Sequence, residues 1–142
     1  MDTGYRLIEY LDEKQRPFWE LASSSGRSEL EKLISSPKTR TTARKLLSHV
    51  SKINDYGIQI SSATSKVRLL DSKASLYEIK GFNGTDREMA YVICRDSTKV
   101  VLLYLFKGHQ GSGNIHAEIK YAKKLAKIAS KLLDAQLDQE QS

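Results

Sequence analysis

The sequence predicts an α+β domain: a small antiparallel sheet of about four to five strands, packed by N-terminal helices and by a basic C-terminal helix. Three observations carry this expectation. Apolar and aromatic runs at residues 76–80, 89–93 and 100–106 follow one another at the spacing of short strands. Upstream, Ala43, Leu46, Leu47, Val50 and Ile53 recur at three- and four-residue steps, the period of a helix with one buried face. Downstream of Asn114, small apolar residues and lysines repeat at that same period. Strands joined this closely are expected to be antiparallel, because parallel neighbours need long crossovers. A chain of 142 residues with 39% hydrophobic content suits one domain with a modest core. That domain is expected over residues 1–134, with residues 135–142 as a frayed tail.

Taken in order, residues 5–11 alternate weakly and read as a first strand. Pro17-Phe18-Trp19 suits the first turn of a helix, where proline's fixed φ and missing donor are harmless. Ser28-Glu29-Leu30-Glu31 matches a capping box, starting a helix that ends before Pro37. The next helix follows Ala43 to Ile53, with Gly57 as its C-cap and Arg44, Lys45, His49 and Lys52 on its other face. The Ser/Thr-rich residues 59–65 read as a loop, and 66–70 as a short strand. Residues 76–82 alternate, with Tyr77 and Ile79 on one face and Glu78 and Lys80 on the other. Residues 87–94 and 98–106 form a hairpin around Arg95-Asp96-Ser97. The last helix, about 114–133, carries a slim seam of Ile115, Ile119, Ala122, Ala126 and Ala129. Another face carries Lys120, Lys123, Lys124, Lys127 and Lys131.

Charge is uneven along the chain. Residues 1–60 hold 10 Lys/Arg against 8 Asp/Glu, whereas residues 61–131 hold 13 against 6. The excess therefore falls on the predicted sheet and last helix, which fits a nucleic acid or an acidic protein as partner. Cys94 is the single cysteine and sits in an apolar run, so an intrachain disulfide is excluded and a buried thiol is expected. No signal-peptide pattern and no apolar run of membrane-spanning length occurs, so a cytoplasmic protein without membrane contact is expected.

Several chemistries find no motif. His49, His109 and His116 fall in different elements, without acids or cysteine at metal-ligand spacing, and neither metal nor cofactor is expected. The Gly-rich run 108–113 precedes a helix, but Asn114 and Ile115 follow it where a P-loop needs Lys and Ser or Thr. What remains is a basic and polar set near the strands: Lys66, Arg68, Lys80, Arg87, Tyr91, Tyr104, Lys107 and His109. RNA cleaves itself when its 2′-hydroxyl attacks the adjacent phosphorus in line. An enzyme must help remove that proton, stabilise the phosphorane with cations and protonate the leaving oxygen. Arg, Lys, Tyr and His supply these roles without a metal, although an ordinary basic surface has the same composition.

The order of motifs resembles the RelE/HigB superfamily of toxin–antitoxin toxins, in particular its phage-derived branch. The residues that carry the likeness are Leu76-Tyr77-Glu78-Ile79-Lys80, Arg87-Glu88-Met89-Ala90-Tyr91, Val101-Leu102-Leu103-Tyr104-Leu105-Phe106-Lys107 and Glu118-Ile119-Lys120-Tyr121-Ala122. The resemblance implies a microbial-RNase-like fold and a ribosome-dependent, metal-independent mRNA endonuclease that arrests translation. It also implies a cognate antitoxin, usually a small helix-turn-helix protein, as a partner beside ribosome and mRNA.

Carried over by position, Lys80 stands where the family has Arg, keeping the charge but losing the bidentate fork. Glu88 stands at the family's strand Arg, with Arg87 one place before it, and Tyr104 replaces a His. The catalytic candidates are thus Lys80, Arg87, Tyr91, Tyr104, Lys107 and His109. Lys66, Arg68, Lys120, Lys123, Lys124 and Lys127 are the RNA-binding candidates. Because these departures touch the basic set, two alternatives stand beside the nuclease: a catalytically degenerate module binding RNA, the ribosome or an acidic protein, and a gyrase-directed toxin.

Overall fold

The computed structural model describes residues 4–61, 67–80, 89–106 and 115–141. In chain order the elements are β1 (Tyr5–Leu11), β2 (Pro17–Ser23), α1 (Glu29–Ser35), α2 (Arg40–Tyr56), α3 (Ile58–Ser61), β3 (Val67–Asp71), β4 (Leu76–Lys80), β5 (Met89–Arg95), β6 (Lys99–Phe106) and α4 (Ile115–Gln141). The strands form one open sheet in the order β1-β2-β6-β5-β4-β3. All neighbours are antiparallel except β2 and β6, which run parallel through Trp19↔Val101 and Glu20↔Leu102. The domain is therefore α+β, as expected, but among the described residues its sheet has six strands and is mixed.

Both faces of the sheet are covered. Phe18, Val92, Cys94 and Leu102 point into one apolar cluster with Leu30 of α1, Leu46, Val50 and Ile53 of α2, and Ile58. Trp19, Leu76, Tyr91, Ile93 and Val101 point into a second cluster with Ala122, Leu125, Ala126, Ala129 and Leu133 of α4. Small residues on α4 let its axis approach the strands closely, as the seam predicted for Ala122, Ala126 and Ala129 requires.

Two-sided coverage explains where the structure departs from the sequence reading. Pro17-Phe18-Trp19 begins a strand rather than a helix. Phe18 and Trp19 are buried on opposite faces, and proline is tolerated as a strand's first residue, here opposite Leu11. The parallel β2–β6 pair is possible because α1–α3 and three strands intervene, a crossover long enough to return the chain. Glu78, placed with Lys80 on the face opposite Tyr77 and Ile79, is 1% exposed because α4 covers that face. Part of the expected loop at 59–65 is the short helix α3, while residues 62–66 lie outside the described set. Finally, α4 runs on to Gln141, past the predicted end near 133, and Leu137 still packs on the second cluster.

Local chemistry anchors the N-terminal half. Ser28 caps α1, accepting from the Glu31 N–H at 3.0 Å. The carboxylate that meets this helix end is Glu20 of β2, which accepts from the N–H groups of Glu29 and Leu30 and from the Ser28 and Tyr10 hydroxyls. An anion at the positive end of a helix, with four donors, is well placed despite being buried. At the β1–β2 turn, buried Asp12 accepts from the N–H groups of Lys14 and Arg16 and from the Arg16 and Asn54 side chains. This ties the hairpin to α2. Asp96 and Ser97, both at positive φ, are the central residues of a turn in which the Thr98 N–H donates to the Arg95 carbonyl, so that three residues join β5 to β6.

Candidate functional site

Strand register brings several predicted site residues together. Arg68 pairs with Glu78, Glu78 with Tyr91, and Tyr91 with Tyr104, making one row across β3, β4, β5 and β6. Lys80 stands two residues beyond Glu78 on β4, and thus on the same face. It pairs with Met89, and Met89 pairs with Phe106. Lys80 is half-buried and has no side-chain partner among the described residues. Lys66, Arg87, Lys107 and His109 lie outside the described residues. In sequence, Arg87 is two residues before Met89, Lys107 directly follows Phe106, and His109 is third after it.

The chemistry of the row is set by two carboxylates that the sequence reading did not select. Arg68 Nη2 lies 3.4 Å from Glu78 Oε1, whose side chain is buried. The buried Tyr91 hydroxyl donates to Glu118 Oε2 of α4 at 3.4 Å. Burial first, then the negative charges of Glu118 and Glu78, push the Tyr91 phenol well above its usual range. Tyr91 therefore stays protonated and acts as a donor toward α4. A charged residue inside an apolar run was the available signal for Glu78. An acid in the first turn of a long helix was the signal for Glu118.

No family model, curated protein or solved structure matches this chain.

Along α4, Lys120, Lys123, Lys124 and Lys127 are all exposed, as a polyanion-facing stripe requires. They do not form one uniform surface. Lys123 and Lys127, with Lys131, border a cleft of about 590 Å³ between α4 and the turn that joins β3 to β4. Lys123 Nζ lies 3.7 Å from Asp71. Lys120 and Lys124 stand outside that cleft. Cys94, buried as expected, has its thiol pushed up to about 12, by burial first and then by the charge of Asp96. Among the described residues no helix is long and apolar enough to cross a membrane.

Proposed function

We propose that this protein is an RNA-directed toxin of the RelE/HigB kind, cutting mRNA on the ribosome without a metal and silenced by a cognate antitoxin. One observation supports this best: the position of Lys80. It is a half-buried cation with no partner among the described residues, at the end of β4 and in register with Met89 and Phe106. The sequence carries Arg87, Lys107 and His109 beside those two strand ends. A cation so placed can stabilise phosphorane charge. Lys120 and Lys124, exposed in the N-terminal half of α4, add basic groups for the RNA backbone.

Primer extension on a defined mRNA in a reconstituted translation reaction, with and without ribosomes, tests the reading. Cuts within A-site codons that depend on ribosomes support it. Normal cleavage by an Arg87→Ala/Lys107→Ala double variant would remove those two residues from the site.

A second reading is favoured by the state of the row itself. Arg68 is engaged by Glu78, and the Tyr91 hydroxyl is buried against Glu118. A module of this fold that holds RNA or the ribosome without cutting would show intact mRNA and co-sedimentation with ribosomes.

A further inference from the structure

We propose that the cleft between the middle of α4 and the β3–β4 turn is a docking site for an acidic peptide segment, bearing aliphatic side chains, from a partner protein. This inference stands apart from the RNA reading. The cleft lies at the Arg95 end of β5, and Lys80 pairs at the Met89 end of the same strand. Over seven residues of strand, these ends are roughly 20 Å apart.

The occupant follows from the lining. Ala74, Ile93 and Ala126 give the cleft an apolar floor, while Lys73, Lys127 and Lys131 stand at its walls. None of these three lysine side chains has an ion pair or hydrogen bond among the described residues. The other charges are already opposed. Arg95 is paired with Asp134, and Asp71 faces Lys123 while accepting from the Ala74 N–H. The cleft thus presents three uncompensated positive charges over an apolar base, the complement of a segment that alternates acidic and aliphatic residues.

Spacing agrees with an extended chain. Lys127 and Lys131 are one helical step of four residues apart, about 6 Å. Alternate side chains of an extended peptide repeat at roughly 6.6 Å. A single-stranded nucleic acid fits less well, because bases bind on aromatic platforms and none of the described residues lining the cleft is aromatic. A cleft of about 590 Å³ holds a few residues, enough for two or three anchors.

The test uses a random decapeptide library displayed on phage, selected against the whole protein. Selected peptides are then synthesised and their affinities measured by fluorescence anisotropy. The expected result is enrichment of Asp or Glu together with Leu, Ile or Val. Binding should weaken about ten-fold or more with Lys127→Glu/Lys131→Glu, since both charges face the peptide. It should be unchanged with Lys120→Glu/Lys124→Glu, which lies outside the cleft. Lys127→Ala/Lys131→Ala serves as a second cleft variant, and circular dichroism confirms that each variant is folded. Three results would overturn the proposal: no enrichment, enriched peptides of another composition, or equal binding to the cleft variants. Displacement by a twelve-residue oligouridylate at lower concentration than the selected peptides would make the cleft an RNA site and overturn it too. Ribosome-dependent mRNA cutting is read in a separate assay, so failure here and failure of the RNA reading are distinguishable.

Discussion

Arg68 Nη2 stands 3.4 Å from Glu78 Oε1, and the two residues are direct partners across β3 and β4. The Glu78 side chain is 2% exposed and that of Arg68 is 53% exposed. A buried carboxylate left without its cation is costly, so this pairing makes Arg68 a structural residue before it is an RNA contact. Arg68→Ala is expected to lower stability by about 1–2 kcal/mol, less than for a fully buried pair because Arg68 is half in water. Adding Glu78→Gln should recover part of the loss. Urea unfolding of both single variants and the double variant measures the coupling. Unchanged stability in Arg68→Ala would return Arg68 to the RNA-binding set.

Glu20 links β2 to the start of α1. Glu20→Ala removes the acceptor of two backbone N–H groups and two hydroxyls at once. The expected loss is about 2–4 kcal/mol, since buried donors are left without partners and the helix end loses its anion. Glu20→Gln keeps an acceptor oxygen and should lose less. Thermal melts followed by circular dichroism rank the two. Equal melting temperatures for wild type and Glu20→Ala would show that α1 does not depend on this cap.

Acid should act through Asp12. Burial opposes its ionised form, but hydrogen bonds from the Arg16 backbone, Asn54, the Arg16 side chain and the Lys14 backbone outweigh it. The carboxyl is thereby held at about 2, against an ordinary 3.8. A lowered folded-state pKa gives stability that is present above about pH 4 and lost as pH falls toward 2, up to about 2 kcal/mol. Urea midpoints at pH 7, 4 and 2.5 should fall more steeply for wild type than for Asp12→Asn. Parallel curves for the two proteins would assign acid sensitivity elsewhere.

Lys80 and Tyr91 separate charge stabilisation from proton transfer. If mRNA is cut, Lys80→Ala should lower the rate on the order of 100-fold while leaving the fold intact. Tyr91→Phe should change the rate only a few-fold, because the hydroxyl is buried against Glu118 rather than open to substrate. Single-turnover cleavage by each variant decides between them. A large loss in Tyr91→Phe, with an unchanged melting temperature, would make Tyr91 part of the chemistry.

Much of the fold is legible in the chain because it rests on local periodicity. Ala43, Leu46, Val50 and Ile53 are buried on one face of α2, and Gly57 ends that helix at positive φ. The apolar runs of β4, β5 and β6 lie in neighbouring antiparallel strands, as their short connections required. Ser28 caps α1, and Ala122, Ala126 and Ala129 bury the seam of α4 beneath exposed lysines. Each of these follows from residues within a few positions of one another.

The tertiary structure decided the rest, because helices cover both faces of the sheet and strand register joins distant residues. Phe18 and Trp19 could be placed only once both faces were known to be buried, which turned a predicted helix start into β2, parallel to β6. Glu78 and Glu20 are acids in strands, and no local pattern says that α4 covers one or that the start of α1 lies against the other. The row Arg68–Glu78–Tyr91 likewise exists only through strand register, which joins residues far apart in the chain. Sequence alone determined which residues are basic and, outside β2 and α3, which stretches are strand or helix. Only non-local burial determined which of those charges are tied to a partner and which, like Lys80, Lys127 and Lys131, remain available.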